Sequence, residues 1–101
     1  MRNLRADLQE SAVPLSFPNH MRSFDQTGNR VRFAGYDGVF EVQFYIEADV
    51  LRKLSTRSAF AESDLLITFD DCRDEILSVA RKAYNRGHSH TICTLTVADF
   101  H

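Results

Sequence analysis

Between Arg30 and Ile46 the chain alternates apolar and polar residues on both sides of Asp37-Gly38, and no other stretch narrows the fold as sharply. Alternation with a period of two sends successive side chains to opposite faces of a strand. Asp-Gly is a favoured dipeptide for the two-residue type I′ turn that joins two antiparallel strands. With Asp37-Gly38 as the turn, Tyr36 faces Val39, Gly35 faces Phe40, Phe33 faces Val42 and Val31 faces Phe44. One face of the predicted hairpin then carries Val31, Phe33, Gly35, Phe40, Val42 and Phe44. The other carries Arg30, Arg32, Ala34 and Tyr36 against Tyr45, Gln43, Glu41 and Val39. A strand pair so divided has to bury its Phe/Val side, which predicts a sheet with a core on one face.

The flanking segments supply what covers that core. Leu4 and Leu8, four residues apart behind Asn3, predict a short amphipathic helix before Pro14, so residues 1–14 read as an N-terminal arm and residues 15–101 as a single domain. Leu15 to Gln26, interrupted by Pro18, Asn19 and Ser23, predicts one or two short extended pieces, with room for a short N-terminal strand. Val50, Leu51 and Leu54 predict a short helix over Glu47 to Leu54. A longer helix is predicted from an N-cap at Ser63 to a C-terminal glycine at Gly87, with Leu65, Phe69, Cys72, Ile76, Val79 and Ala83 as its apolar stripe. Asp64, Asp70, Asp71, Asp74 and Glu75 crowd its first half and Arg81, Lys82 and Arg86 its last turns, as the helix dipole favours. Ser89 to Ala98 alternates again, with Thr91, Cys93, Leu95 and Val97 inward and His90, Ile92, Thr94 and Thr96 outward, and predicts a third strand. The fold class is therefore α+β, a small and largely antiparallel sheet with a short and a long helix over one face, in the order β-β-α-α-β.

Composition sets the limits on function. A net charge of -2, from 12 basic and 14 acidic residues, provides no global field for nucleic acid or anionic membrane. No apolar run approaches the ~20 residues of a membrane span and no secretory h-region opens the chain, so a cytoplasmic location is expected. Two cysteines, Cys72 and Cys93, make no disulfide framework and no CxxC pair, and both fall on apolar stripes as reduced, packed thiols.

The chain carries the segments Leu-Ser-Phe-Pro-Asn at 15–19, Ser-Phe-Asp at 23–25 and Val-Arg-Phe-Ala-Gly-Tyr-Asp at 31–37 as a spaced pattern. It continues through Leu51 with Leu54, Phe69-Asp70 with Arg73 and Ile76, Ala80-Arg81 with Tyr84, and Thr-Leu-Thr-Val-Ala-Asp-Phe at 94–100. On these residues the chain resembles a family of small, chiefly proteobacterial proteins known as domain of unknown function 1488. Residues 1–14 lie outside the pattern, and Ala34 stands where the resemblance leads one to expect an aromatic. The resemblance implies a compact α+β fold and brings no activity, cofactor or catalytic residue with it.

Each candidate for chemistry has an ordinary alternative. His88 and His90 are two apart on a strand start, but neither Cys93 on the opposite face nor the terminal His101 completes a metal site with them. The acidic group Asp70, Asp71, Asp74 and Glu75 reads as a solvated helix face, and Gly35-Tyr-Asp-Gly38 as a turn rather than a phosphate loop. No cofactor is implied and no catalytic residue is assigned. Arg73, one turn from Phe69 and Ile76, is expected to lay its stem along the core edge and clasp a carboxylate, Asp70 or Asp99, the latter as a structural ion pair that fixes the C-terminal tail. The strongest candidate surface is the polar hairpin face, Arg30, Arg32, Tyr36, Gln43 and Tyr45, joined by His90, Thr94 and Thr96. Arginine and tyrosine together suit recognition, and the alternative is a wet sheet face in which Arg32 neutralises Glu41 diagonally. The leading reading is a non-enzymatic interaction or regulatory module acting through this face. A homodimer is favoured by a long helix of ~36 Å that outruns a ~27 Å strand. Two other readings stand beside it. One is a nucleic-acid-associated regulator using Arg30, Arg32, Tyr36 and Tyr45, against which the net charge counts; the other is a small ligand-binding domain or enzyme around Arg73, Asp99 and the histidines.

Overall fold

The computed structural model describes residues 15–55, 61–87 and 92–100. Strands β1 (Arg22–Asp25), β2 (Arg30–Asp37), β3 (Phe40–Glu47) and β4 (Ile92–Leu95) form one sheet in the order β1-β2-β3-β4. Between β3 and β4 run helices α1 (Ala48–Leu54), α2 (Glu62–Asp71) and α3 (Arg73–Gly87), and after β4 comes a single 3₁₀ turn, Val97–Asp99. The α+β class holds, with β1 as the short N-terminal strand and β1-β2-β3 as an antiparallel meander. β4 pairs parallel to β3, which a helical crossover of this length permits. The N-terminal arm and the three histidines His88, His90 and His101 lie outside the described residues.

The central hairpin forms where the alternation requires it, with a shifted turn. Asp37 pairs with Phe40, so Gly38-Val39, not Asp37-Gly38, fills the two turn positions, and Tyr36 faces Glu41 rather than Val39. Gly38 takes φ +65° while Val39 stays out of the left-handed region, as in the II′ class, where only the first turn residue needs positive φ. The register is displaced by two residues, and because the side-chain period is two, every residue keeps its predicted face. Phe33 accordingly meets Phe44, their rings stacked 5.3 Å apart. Phe40, predicted inward, lies beyond the covered part of the sheet at the hairpin tip and is 73% exposed.

One side of the sheet supplies Val31, Phe33, Val42, Phe44, Ile46 and Leu95 to the core; Val50 and Leu51 of α1, Leu65 and Phe69 of α2, and Ile76 and Ala80 of α3 meet them. Phe17, half-buried and unassigned from sequence, packs 5.6 Å from Phe44 and 6.1 Å from Phe33. The predicted long helix is two helices. Cys72 leaves helical geometry at φ −106° and ψ 17°, although the bonds from Cys72 N–H to Thr68 and from Ile76 N–H to Cys72 are kept. α2 also begins earlier than the Ser63 cap predicts, at Glu62, where the Asp64 carboxylate accepts the Ala61 N–H. The break removes the overhanging ~36 Å rod on which the dimer expectation rests, since α3 with 15 residues is only ~22 Å long.

Candidate functional site

Strand pairing assembles the uncovered face residue by residue. Ser23 and Asp25 of β1 lie beside Arg32 and Arg30; Arg32, Ala34 and Tyr36 of β2 lie beside Tyr45, Gln43 and Glu41 of β3; Gln43 and Tyr45 lie beside Ile92 and Thr94 of β4. Their neighbours in sequence point into the core, so these side chains face away from the helices. The five residues predicted for this surface, Arg30, Arg32, Tyr36, Gln43 and Tyr45, therefore share one face with Thr94. Thr96, predicted with them, lies past the end of β4.

Three of the five, Arg30, Gln43 and Tyr45, are engaged with one another. Arg30 Nε donates to Asp25 Oδ2 at 2.8 Å while its guanidinium lies 3.6 Å over the Tyr45 ring. That hydrogen bond, together with those from the Gly28 and Thr27 N–H groups, holds the Asp25 carboxyl below the ordinary carboxylate range. Gln43 Nε2 donates to the Tyr45 hydroxyl at 3.0 Å, so Tyr45 is fixed from two directions. Arg32 differs. Its side chain is exposed and has no hydrogen-bond, ion-pair or ring partner among the described residues. It borders two open depressions, one of about 420 Å³ shared with Met21, Ala34, Tyr36 and Glu41, and one of about 550 Å³ shared with Phe24, Tyr45 and Glu62. Glu41 is equally exposed and equally without such a partner among the described residues. The two-residue shift of register explains why: Arg32 faces Tyr45 and Glu41 faces Tyr36, so ~13 Å of strand separates them and the diagonal neutralisation expected from the Asp37-Gly38 turn is lost.

Arg73 goes to a different place. Its guanidinium donates to the His20 carbonyl at 2.8 Å, sits 3.6 Å from Asp70 and lies 5.1 Å from the centre of the Phe69 ring. Asp70 is thus the carboxylate it engages, while Asp99 accepts the Thr96 N–H at 2.8 Å and closes the 3₁₀ turn, and among the described residues no Arg73–Asp99 ion pair is seen. Arg22 grips Asp70 through two bonds of 2.9 and 2.8 Å, and this grip, more than Arg73, holds the Asp70 carboxyl low. These groups line a polar depression of about 410 Å³ with Asp71 and Asp74. The break at Cys72 divides the acidic group predicted on one helix face: Asp70 and Asp71 end α2, whereas Asp74 and Glu75 occupy the first turn of α3, where the dipole favours them.

The two cysteines and Tyr84 belong to the packing of the fold. Burial, and then Glu75 and Asp71, push the Cys72 thiol up, and Cys93 is half-buried on the inward side of β4. The Tyr84 hydroxyl donates to Asp37 at 2.7 Å, which raises its pKa and fastens α3 to the hairpin end. Among the described residues no three His, Cys, Asp or Glu side chains converge as metal ligands, and no helix is long and apolar enough to cross a membrane. Sequence reasoning missed the Arg22–Asp70 and Tyr84–Asp37 contacts, whose partners lie 48 and 47 residues apart and leave no local signature. The Asp25–Arg30 pair had one, a four-residue turn closed at Asn29 with φ 53°.

Comparison with known proteins places this geometry among relatives. A crystal structure of a DUF1488-family protein of unknown function from Shewanella loihica PV-4 superposes with a TM-score of 0.71 at 17% identity, over 80% of this chain and 90% of that one. No curated protein matches the sequence. The family model described as "Protein of unknown function (DUF1488)" matches residues 15–96, from the Leu15 segment through β4, and the chain belongs to the DUF1488 family.

Proposed function

We propose that the chain is a non-enzymatic interaction module that receives a macromolecular partner on the open face of its sheet, anchored by Arg32. The observation that carries this reading is Arg32 itself, a guanidinium standing exposed between two depressions with its donors uncommitted among the described residues. Arginine so placed loses few existing contacts on binding and offers a fork of donors to a carboxylate or amide of the partner. The rigid surround favours the same reading. Tyr45 is held between Arg30 and Gln43, so the face is set before a partner arrives and little ordering entropy is lost on contact. A nucleic-acid partner is less favoured, because one side of the Tyr45 ring, a stacking platform in that reading, is already covered by Arg30.

The test is site-specific photocrosslinking in the cell of origin, with a benzophenone amino acid replacing Tyr36 on the open face or Ile67 on α2. The expected result is a discrete adduct from position 36 that disappears with Arg32→Glu and is absent from position 67. Equal labelling from both positions, or an adduct indifferent to Arg32→Glu, would refute the reading.

A further inference from the structure

Two uncommitted charges on the open face, Arg32 and Glu41, stand in a relation that one kind of partner satisfies twice. Arg32 and Glu41 occupy opposite corners of a six-residue patch whose centre is the Ala34–Gln43 pair and whose other corners are Tyr45 and Tyr36. Neither can reach the other, and neither has another partner among the described residues. A two-fold axis lying between two such faces, at right angles to the Arg32–Glu41 line, sets Arg32 of each copy over Glu41 of the other, and a self-complementary surface is what an isologous interface requires. We propose that the partner on this face is a second copy of the same chain, lying sheet to sheet, with Arg32 of each copy paired to Glu41 of the other; this rests on the reading of the open face as an interaction surface.

The geometry of stacked sheets accommodates the arrangement. With ~13 Å along the strand and ~4.8 Å between strands, the line from Arg32 to Glu41 lies ~20° off the strand direction. Laying Glu41 of one copy over Arg32 of the other therefore crosses the two sheets at ~40°, near the ~30° of aligned sheet packing. The same operation carries Tyr36 of each copy over the depression that Arg32, Ala34 and Ser23 border on the other, where about 420 Å³ is open. Ala34 at the centre has no long side chain to hold the sheets apart. β2 and β3 are ~27 Å long and four strands span ~19 Å, so the face offers at most ~500 Å² in projection, less than the ~800 Å² per partner of a standard interface. The dimer is accordingly reversible, with dissociation on the order of micromolar.

Sedimentation equilibrium of the full chain from ~1 to ~100 μM, a range that brackets a micromolar constant, is the test. The weight-average mass of the wild type is expected to rise towards twice that of the monomer. Arg32→Glu and Glu41→Arg are each expected to remain monomeric with unchanged circular dichroism, because each places like charges at both corners. An equimolar mixture of the two variants is expected to recover the dimer, since every contact in the mixed pair is then between opposite charges. A wild type that stays monomeric at the highest concentration, single variants that dimerise as well as wild type, or a mixture that stays monomeric each overturn the proposal. If the wild type is monomeric while the Arg32-dependent crosslink captures another macromolecule, self-association alone falls and the interaction reading stands; loss of both removes both.

Discussion

Gly35 is the residue at which a single methyl group would matter most. A Cβ built there falls 2.7 Å from a carbon of the Phe17 ring, which is packed against both Phe33 and Phe44 and capped by the Arg81 guanidinium 5.1 Å away. The ring therefore has little freedom to retreat, and Gly35→Ala is expected to lower unfolding free energy by about 1–3 kcal/mol, read as a shift in urea midpoint. Gly38→Ala is the control for backbone effects, because nothing lies within 4 Å of its Cβ and only the φ of +65° opposes it, at about 1 kcal/mol. If Phe17→Ala does not relieve the cost at Gly35, the clash is not its cause. That Gly35 faces inward is visible in the alternation of β2. That Phe17 fills the space above it is not, because the two are 18 positions apart and the contact depends on how the segment before β1 returns along the sheet.

At the scale of elements, β1 is tied to α2 by the Arg22–Asp70 bidentate pair, and α2 has reason to need it. Its last turn carries Asp70 and Asp71 and no basic residue, an arrangement that opposes the helix dipole unless a cation is brought from elsewhere. The side chains are 31% and 44% exposed, so Arg22→Gln is expected to cost no more than about 1 kcal/mol at neutral pH. Because the folded Asp70 carboxyl titrates below its unfolded value, the contribution is full above about pH 4 and is lost as pH falls through the folded value. The stability gap between wild type and Arg22→Gln should thus be constant from neutral pH to about pH 5 and close in more acid solution; a gap that widened in acid would exclude this assignment. The helices themselves were legible as an apolar stripe. Their division at Cys72 was not, since the stripe continues through it and the hydrogen bonds nearly do as well; what breaks is the backbone angle, where Asp70 and Arg73 are drawn to Arg22 and the His20 carbonyl of the segment before β1.

For the molecule as a whole, β4 decides whether the sheet closes over its core. It contributes only four residues, yet Leu95 is fully buried against the crossover helices and pairs across from Ile46. Leu95→Ala is expected to destabilise by about 2–5 kcal/mol in one cooperative urea transition, a large share of what a domain of this size commonly has. A cost below about 1 kcal/mol would mean that β4 is peripheral to the cooperative unit. The sequence by itself determined the faces: period-two alternation and the helical stripe assign side chains to one face or the other, and on the hairpin those assignments survive a two-residue displacement of the register because the period is also two. Only the tertiary structure decided which residues are neighbours on those faces. Register, the break at Cys72 and the reach of Arg22, Arg30 and Arg73 depend on chain segments meeting from far apart, and pairing at a distance leaves no periodic trace. That is why the Arg/Tyr face could be read from the sequence, while the separation of Arg32 from Glu41, on which its proposed use depends, could not.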